Sequence, residues 1–221
     1  MNHHIGGDNG HAGLASLLST RHSSRNFLPT PVPVEHLTKC LAMAQQSPSN
    51  SNTQPWRAIF LTGDTLSTLK KALVSAATQK DPTEIITPLP TTYQHYRSSL
   101  GCKVYGEALG IARADIPART AAVLRNFEFF GAPWAGIVYL DPFVHDRPDL
   151  AQGVGMWLQS LLLALTEHGL GTCVLISVAE YAAVIKRVLK LPDEVTVLCG
   201  LAVGYENPDA GVNRVVVGRH A

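Results

Sequence analysis

The sequence predicts an α+β domain built around a central sheet, and three observations support this fold class. The chain has 221 residues, of which 46% are hydrophobic and only 16% charged, so it can bury a substantial core. Strand and helix patterns are interspersed along it without a strict β-α-β repeat. No internal repeat or linker divides it, so we expect a flexible tail over residues 1–13 and a single domain over residues 14–221.

The individual elements follow from hydrophobic periodicity and from helix end signals. A helix is predicted from about Gly13 to Arg21, and a second has Pro33 in its first turn. A strand is predicted at 56–63, and it precedes a helix that Asp64 caps. Residues 80–100 are proline-rich and predict a long loop or lid. Later come a mixture of helix and turn at 108–133, a strand at 135–141, a helix at 149–170, a strand at 171–177, a helix at 179–192 and a strand at 194–205.

The helix at 149–170 has no charged residue between Ala151 and Thr166. It is too short, and too polar at its start, to span a bilayer, which takes about 20 apolar residues. A helix that is apolar on every side lies at the centre of a fold or in an interface. With so few charged residues to cover a monomer, we expect an oligomer.

Charge and cysteine content exclude several classes of partner. The net charge of +1 carries no basic run, so neither nucleic acid nor an anionic membrane surface is an expected partner. The four cysteines (Cys40, Cys102, Cys173 and Cys199) form no CxxC, and we expect reduced thiols in the cytoplasm. The first fourteen residues have no apolar core of a signal peptide.

Two polar clusters near the start of the chain are the candidate binding elements. In RHSSRNFLPT (21–30), Arg21 and Arg25 flank Ser23, and arginine with serine is suited to a phosphate. In SPSNSNTQPW (47–56), Asn52 and Gln54 offer amides that match the carbonyl and NH groups of a planar heterocycle. Spacing alone leaves open a surface arginine pair followed by a polar turn.

Other catalytic and binding signatures are absent from the sequence. There is no GxSxG elbow, no histidine pair at metal-ligand spacing, no GxGxxG fingerprint after a strand and no Walker loop. We therefore expect no metal site and no protein nucleophile.

Four motifs in order resemble the FMN-dependent nitroreductases, and within them a nitrobenzoate-reductase-like subgroup. They are R-H-S-S-R-x-F, S-P-S-x-x-N-x-Q-P-W, GLGTC at 169–173 after the long apolar helix, and Asn213 with Arg219 near the C-terminus. The segments RSSLGCKVYGEALGIARADIPAR and RNFEFFGAP are similar to the subgroup. The resemblance covers roughly residues 14–219 and implies a nitroreductase-like fold: a central, mostly antiparallel sheet flanked by helices, in an intertwined homodimer with FMN at the interface.

The resemblance also implies roles for individual residues. Arg21 and Arg219 would bind the FMN phosphate, and Arg25 would reach the pyrimidine end of the ring and stabilise the reduced flavin. The remaining implied cofactor-binding residues are His22, Ser23, Pro48, Ser49, Asn52, Gln54, Leu175 and Ile176. Because Val216 replaces a basic residue and the chain stops at Ala221, Arg219 is expected to be held less firmly, with Arg214 as a possible substitute.

The implied activity is ping-pong transfer of a hydride from NADPH or NADH through flavin N5 to a nitroaromatic or quinone. No side chain would act as a nucleophile. Tyr93, Tyr96, Arg97 and Tyr105 are the expected substrate-binding residues, whereas Phe127, Phe129 and Phe130 are expected in the core. The alternatives are a flavin-binding storage or sensor protein, or a relative with another flavin reaction such as enone reduction, dehalogenation or flavin destruction.

Overall fold

The protein forms a four-stranded sheet with helices on both faces. The computed structural model describes residues 13–80, 82–83, 88–144 and 146–219. The predicted tail therefore lies almost wholly outside the described residues. The strands are β1 (Arg57–Leu61), β2 (Trp134–Leu140), β3 (Gly171–Leu175) and β4 (Thr196–Gly204). They are ordered β1-β2-β4-β3, and each neighbouring pair is antiparallel. The predicted fold class is confirmed.

The helices are distributed along the whole described chain. They are α1 (Leu14–Thr20), α2 (Val34–Ala44), α3 (Gly63–Gln79), α4 (Thr91–Gly101), α5 (Ile116–Leu124), α6 (Pro148–Glu167) and α7 (Ala182–Leu189). A π-helical turn, Cys102–Ala108, continues α4 directly. A 3-10 segment, Ile176–Tyr181, joins β3 to α7.

The sheet separates two hydrophobic layers. Successive residues of a strand point to opposite faces, and Ile137 of β2 contacts one layer while Val138 contacts the other. The first layer contains the buried residues of α3 and α7, and the second those of α2 and α6. As predicted, Phe127, Phe129 and Phe130 are core residues, with exposures of 4%, 0% and 5%.

Three predicted boundaries were wrong. Residues 91–101 form α4 rather than a loop, because the prolines end at Pro90, which precedes the first helical residue. Asp64 is not the N-cap of α3; Thr62 takes that position, and Asp64 lies in the first turn. Pro33 is the N-cap of α2 rather than a first-turn residue. The loop residues 81 and 84–87 lie outside the described part of the chain.

The cysteines are unpaired, and none of the described helices suits a bilayer. All four cysteines lie within the described residues and are free thiols. Burial raises the pKa of Cys40 to about 11 and that of Cys199 to about 12. Across the described ranges, no helix combines the length and apolar character needed to cross a membrane.

Candidate flavin and substrate site

The first polar cluster lies against strand β3. Ser23 forms an isolated parallel bridge with Thr172, and the Ser24 amide donates to the Thr172 carbonyl over 2.9 Å. The Ser24 hydroxyl donates to Glu206 Oε2 over 2.9 Å. Ser24 is buried. The segment 21–25 is therefore fixed to the sheet rather than free at the surface.

Close contact with β3 depends on Gly171. A Cβ at this position would lie 2.5 Å from Ser24 Oγ and 3.2 Å from Glu206 Cβ. Real Cβ atoms do not approach neighbours so closely, and a side chain here would push the segment away from the strand. The second glycine of the GLGTC motif is thus required for packing.

Asn213 connects this cluster to the C-terminal segment. Its Oδ1 accepts from the backbone amides of Arg25, over 2.7 Å, and Asn26, over 3.1 Å. Its Nδ2 donates to the carbonyls of Asn26, over 2.8 Å, and Asn207, over 3.0 Å. The side chain is 7% exposed. All the polar atoms of one buried amide therefore hold the backbone beside Arg25.

Arg21 and Arg25 both place positive charge near Cys173 of β3. Burial raises the pKa of the Cys173 thiol, and Arg25, Ser23 and Arg21 each act in the opposite direction. Three members of the cluster therefore lie within interaction range of one residue of β3. Among the described residues, no ion pair joins Arg21 or Arg25 to a carboxylate. The predicted pair of cations is available for an anion.

Glu206 was missed by the sequence analysis. Its Oε2 lies 2.8 Å from His22 Nε2, and His22 Nδ1 lies 2.8 Å from the Thr20 carbonyl oxygen. The Glu206 carboxylate, which lies beside the cluster, therefore contacts His22 and Ser24 rather than an arginine. No motif marks Glu206, because its partners are more than 180 residues away in sequence.

The second polar cluster is attached to α6. The Ser47 hydroxyl donates to Ser160 Oγ over 2.8 Å, and Asn50 Nδ2 donates to Asp149 Oδ2 over 3.0 Å. A hydrogen bond from Arg147 lowers the pKa of Asp149 to about 2, which favours the ionised acceptor. These contacts attach the cluster to α6 at Asp149, in its first turn, and at Ser160, in its second half.

The backbone of this second cluster is unusual. Ser51, Asn52 and Gln54 have φ values of 49°, 56° and 47°, in the left-handed region that favours glycine. Ser49 Oγ accepts from the Gln54 amide over 3.0 Å, and Asn52 Oδ1 accepts from Gln54 Nε2 over 3.1 Å. Pro48, beside Ser49, is exposed. Three such non-glycine residues in four positions are costly for the backbone, and such residues cluster at active sites and ligand clamps.

The two clusters have no polar connection within the described chain. No hydrogen bond or ion pair between described residues joins 21–25 to 47–55. The first cluster is held by β3 and Asn213, and the second by α6.

A cavity of about 670 Å³ lies beside the first cluster. It is lined by Arg25, by residues of α4 and the π-helical turn, and by residues of α5, and includes the predicted substrate residues Arg97 and Tyr105. Tyr93 and Tyr96 also lie on α4, 55% and 40% exposed, but do not line this cavity. The lining residues that the sequence analysis missed include Glu107, Arg113, Arg119 and Asn126. A π-helical turn is frequent at functional sites but has no signature in a single sequence.

The remaining predicted residues are dispersed. Leu175 ends β3 and is buried, whereas Ile176 begins the 3-10 segment and is 54% exposed. Arg219 is exposed, and its Nη1 donates to the carbonyls of Val217 and Gly218. Arg214 is also exposed and donates to the Pro208 carbonyl over 2.8 Å. Neither arginine has a hydrogen bond to the first cluster within the described chain.

No group of three or more potential metal ligands occurs in the part of the chain that the structure describes.

The sequence matches a known protein family and several characterised relatives. The profile of the nitroreductase family matches residues 18–205. The 4-nitrobenzoate reductase of Pseudomonas putida is 33% identical over 202 residues, covering 90% of this chain and 87% of the relative. The nitrobenzene nitroreductase of Ectopseudomonas oleovorans is 32% identical over 215 residues, covering 92% of this chain and 91% of the relative.

A similar fold occurs in a solved structure. The FMN- and NADPH-dependent nitroreductase NfnB from sphigopyxis sp. strain HMH superposes with a TM-score of 0.89 and is 33% identical to this chain. The superposition covers 95% of this chain and 96% of that structure.

Proposed function

Because the chain belongs to the nitroreductase family and is an oxidoreductase of it, we propose that it binds FMN and reduces nitroaromatic or quinone acceptors with electrons from NADPH or NADH. The observation that carries this proposal is the first cluster. There, Arg21 and Arg25 lie beside β3 without a carboxylate partner among the described residues, and Asn213 holds the backbone of Arg25.

The residues present fit the cofactor. Arg21 and Ser23 offer charge-assisted and hydroxyl hydrogen bonds to a phosphate. The neighbouring cavity, about 670 Å³, is within the range of small-molecule and cofactor sites. Asn52 and Gln54 lie on a preshaped loop and supply amide groups for a heterocycle edge. Leu175 and Ile176 are proposed to approach the same ring with their backbone at the end of β3.

FMN held by Arg21, Ser23 and Arg25 would supply the redox chemistry of the site, taking a hydride at N5 from the nicotinamide and giving electrons to the acceptor. Arg25 places a positive charge at one edge of the cavity, where it would favour negative charge on a bound ring. Its backbone is held by Asn213 and its Nη1 donates to the Ser23 carbonyl over 3.2 Å. Arg25 therefore acts as an electrostatic residue, and no side chain is needed as a nucleophile.

We further propose that the site is completed by a second copy of the chain. The two clusters are held on different elements and are not joined within one chain. The second cluster, including Pro48, Ser49 and Asn52, would then contact the cofactor bound by the partner's first cluster. The uncharged stretch 151–166 of α6, which is attached to this cluster, suits an interface.

We assign binding of the FMN phosphate chiefly to Arg21, and His22 lies next to it in the sequence. Arg219 would join it only if the C-terminal segment moves, because its guanidinium now binds neighbouring carbonyls. A cytoplasmic location is proposed from the four free thiols.

The test compares FMN retention with turnover. We expect the purified protein to be yellow, to bleach with NADPH or NADH under anaerobic conditions, and to recover its colour with a nitroaromatic or a quinone. Arg21→Ala should weaken FMN binding by about 10-fold or more, since a charge-assisted hydrogen bond contributes about 1.5–3 kcal/mol. Arg97→Ala should retain FMN and change acceptor kinetics.

Arg187→Ala on α7 is the matched control and should change neither quantity, since Arg187 is exposed and outside the cavity lining. A colourless protein that cannot take up FMN would refute the proposed function. Equal FMN loss in the Arg21 and Arg97 variants would refute the division of roles.

A further inference from the structure

The cavity beside the first cluster has an excess of positive charge. Four arginines line it, namely Arg25, Arg97, Arg113 and Arg119, and Glu107 is its one acidic lining residue among those described. The whole chain has a net charge of only +1, so the cation density is specific to this cavity. Clustered charge of one sign in a concave site concentrates ligands of the opposite sign.

The charges of these arginines are not neutralised by the protein. In the described ranges, the guanidinium groups of Arg97 and Arg113 have neither a hydrogen bond nor an ion pair. Arg119 Nη1 donates to the Arg113 carbonyl over 3.1 Å, which positions one guanidinium without cancelling its charge. Arg97 and Arg113 are exposed and Arg119 is half-buried, and none of the three has an acidic partner among the described residues, so their guanidinium groups can bind a ligand.

The three side chains come from three parts of the cavity wall. Arg97 is on α4, Arg113 lies in the turn after the π-helical segment, and Arg119 is on α5. Apolar and aromatic residues, among them Val104 and Tyr105, line the same cavity. Such a lining matches a ligand with a planar apolar body and an anionic substituent.

We propose that the acceptor reduced at this site is an aromatic compound carrying a carboxylate, whose anion is bound by Arg97, Arg113 and Arg119. This inference rests on the proposed function. The relatives do not decide it, since the 33% and 32% identical proteins are named for a carboxylated and an uncharged nitroaromatic, respectively. The positive charge of the cavity favours the carboxylated compound over the uncharged one.

A phosphate offers the same chemistry as a carboxylate to an arginine cluster. The 2′-phosphate of NADPH is therefore a second possible source of the anion. Ping-pong turnover separates the two sources, because the nucleotide reacts in the first half-reaction and the acceptor in the second.

The experiment compares 4-nitrobenzoate with its neutral methyl ester as acceptors for the FMN-loaded protein. We expect a higher kcat/KM for the acid, with a preference that decreases as ionic strength rises. Arg113→Gln should lower the acid-to-ester ratio of kcat/KM by about two- to fivefold, the size expected for one exposed, partly screened charge. Arg187→Gln, outside the cavity lining, should leave the ratio unchanged.

Two further measurements separate the possible failures. Calorimetric titration with benzoate measures anion binding without turnover, and Arg113→Gln should weaken it about as much as it lowers the ratio. Stopped-flow measurement of flavin reduction by NADPH and by NADH tests whether the arginines bind the 2′-phosphate of NADPH.

An acid and an ester reduced equally well would overturn the inference and leave the proposed function standing. The inference would also be overturned if Arg113→Gln slows flavin reduction by NADPH, but not by NADH, and leaves the acid-to-ester ratio of kcat/KM unchanged. The arginines would then bind the nucleotide phosphate. If neither acceptor reoxidises the flavin, the proposed function fails, and absence of benzoate binding would then also overturn the inference.

Discussion

Replacing Asn213 with alanine removes all four side-chain hydrogen bonds that hold the backbone beside Arg25. The two amides of Arg25 and Asn26 lose their acceptor, and the carbonyls of Asn26 and Asn207 lose a donor. A protein hydrogen bond contributes about 1 kcal/mol net, so four of them give about 4 kcal/mol. Because the side chain is 7% exposed, water cannot fully replace them, and we expect a loss of about 3–5 kcal/mol.

Guanidinium denaturation at a fixed protein concentration measures this loss. Thr78→Ala is the control, since it removes one exposed hydrogen bond to the Val74 carbonyl and should cost at most about 1 kcal/mol. Asn213→Asp keeps the two acceptor bonds but turns a carboxylate oxygen toward two carbonyls, so its stability should improve when acid protonates it. If the free energy of unfolding of Asn213→Ala lies within about 1 kcal/mol of that of the native protein, the Asn213 amide does not hold the backbone beside Arg25.

Three further predictions concern packing and thiol chemistry. Gly171→Ala places a Cβ 2.5 Å from Ser24 Oγ, and we expect it to cost about 1–3 kcal/mol in denaturation and to weaken FMN retention; an unaffected variant would contradict the close contact. Burial raises the pKa of Cys199 from 9.0 to about 12, so the unfolded chain releases a proton that the native chain keeps. The free energy of unfolding should therefore fall as pH rises from 9.0 toward about 12, and Cys199→Ala should flatten this slope; an equal slope in both proteins would refute the assignment. At about pH 8, iodoacetamide should modify the exposed Cys102 in the native protein and leave Cys40 and Cys199 unmodified, as peptide mass mapping can check.

The sequence predicted the strands well because each has a local pattern. Strand β1 alternates and ends before Gly63, and β2 and β4 are continuous apolar runs bounded by turns. Helix α4 was missed because its neighbours contain prolines and its own residues are polar, with no buried side chain to create a periodic pattern. A helix that covers a cavity rather than a core lacks the signal that identifies most helices.

The charged residues of the candidate site stand out in the sequence, but the contacts between residues far apart in sequence do not. Arg21 and Arg25 are prominent in the sequence as a spaced pair, and in the folded chain both act on the Cys173 thiol. Glu206, by contrast, acts through contacts with His22 and Ser24 that only the folded chain creates. The left-handed residues of the second cluster were equally hidden, because φ values of serine, asparagine and glutamine are not encoded by residue type.

The separation of the two clusters within one chain has a consequence for genetics. If each site takes one cluster from each subunit, Arg21→Ala and Asn52→Ala damage opposite halves of it. Mixed dimers of the two mutant chains would then contain one wholly native site and one site damaged twice. Random pairing of equal amounts makes half the dimers mixed, which restores about a quarter of the sites. Two inactive alleles expressed together would complement each other, whereas two alleles of the same cluster would not.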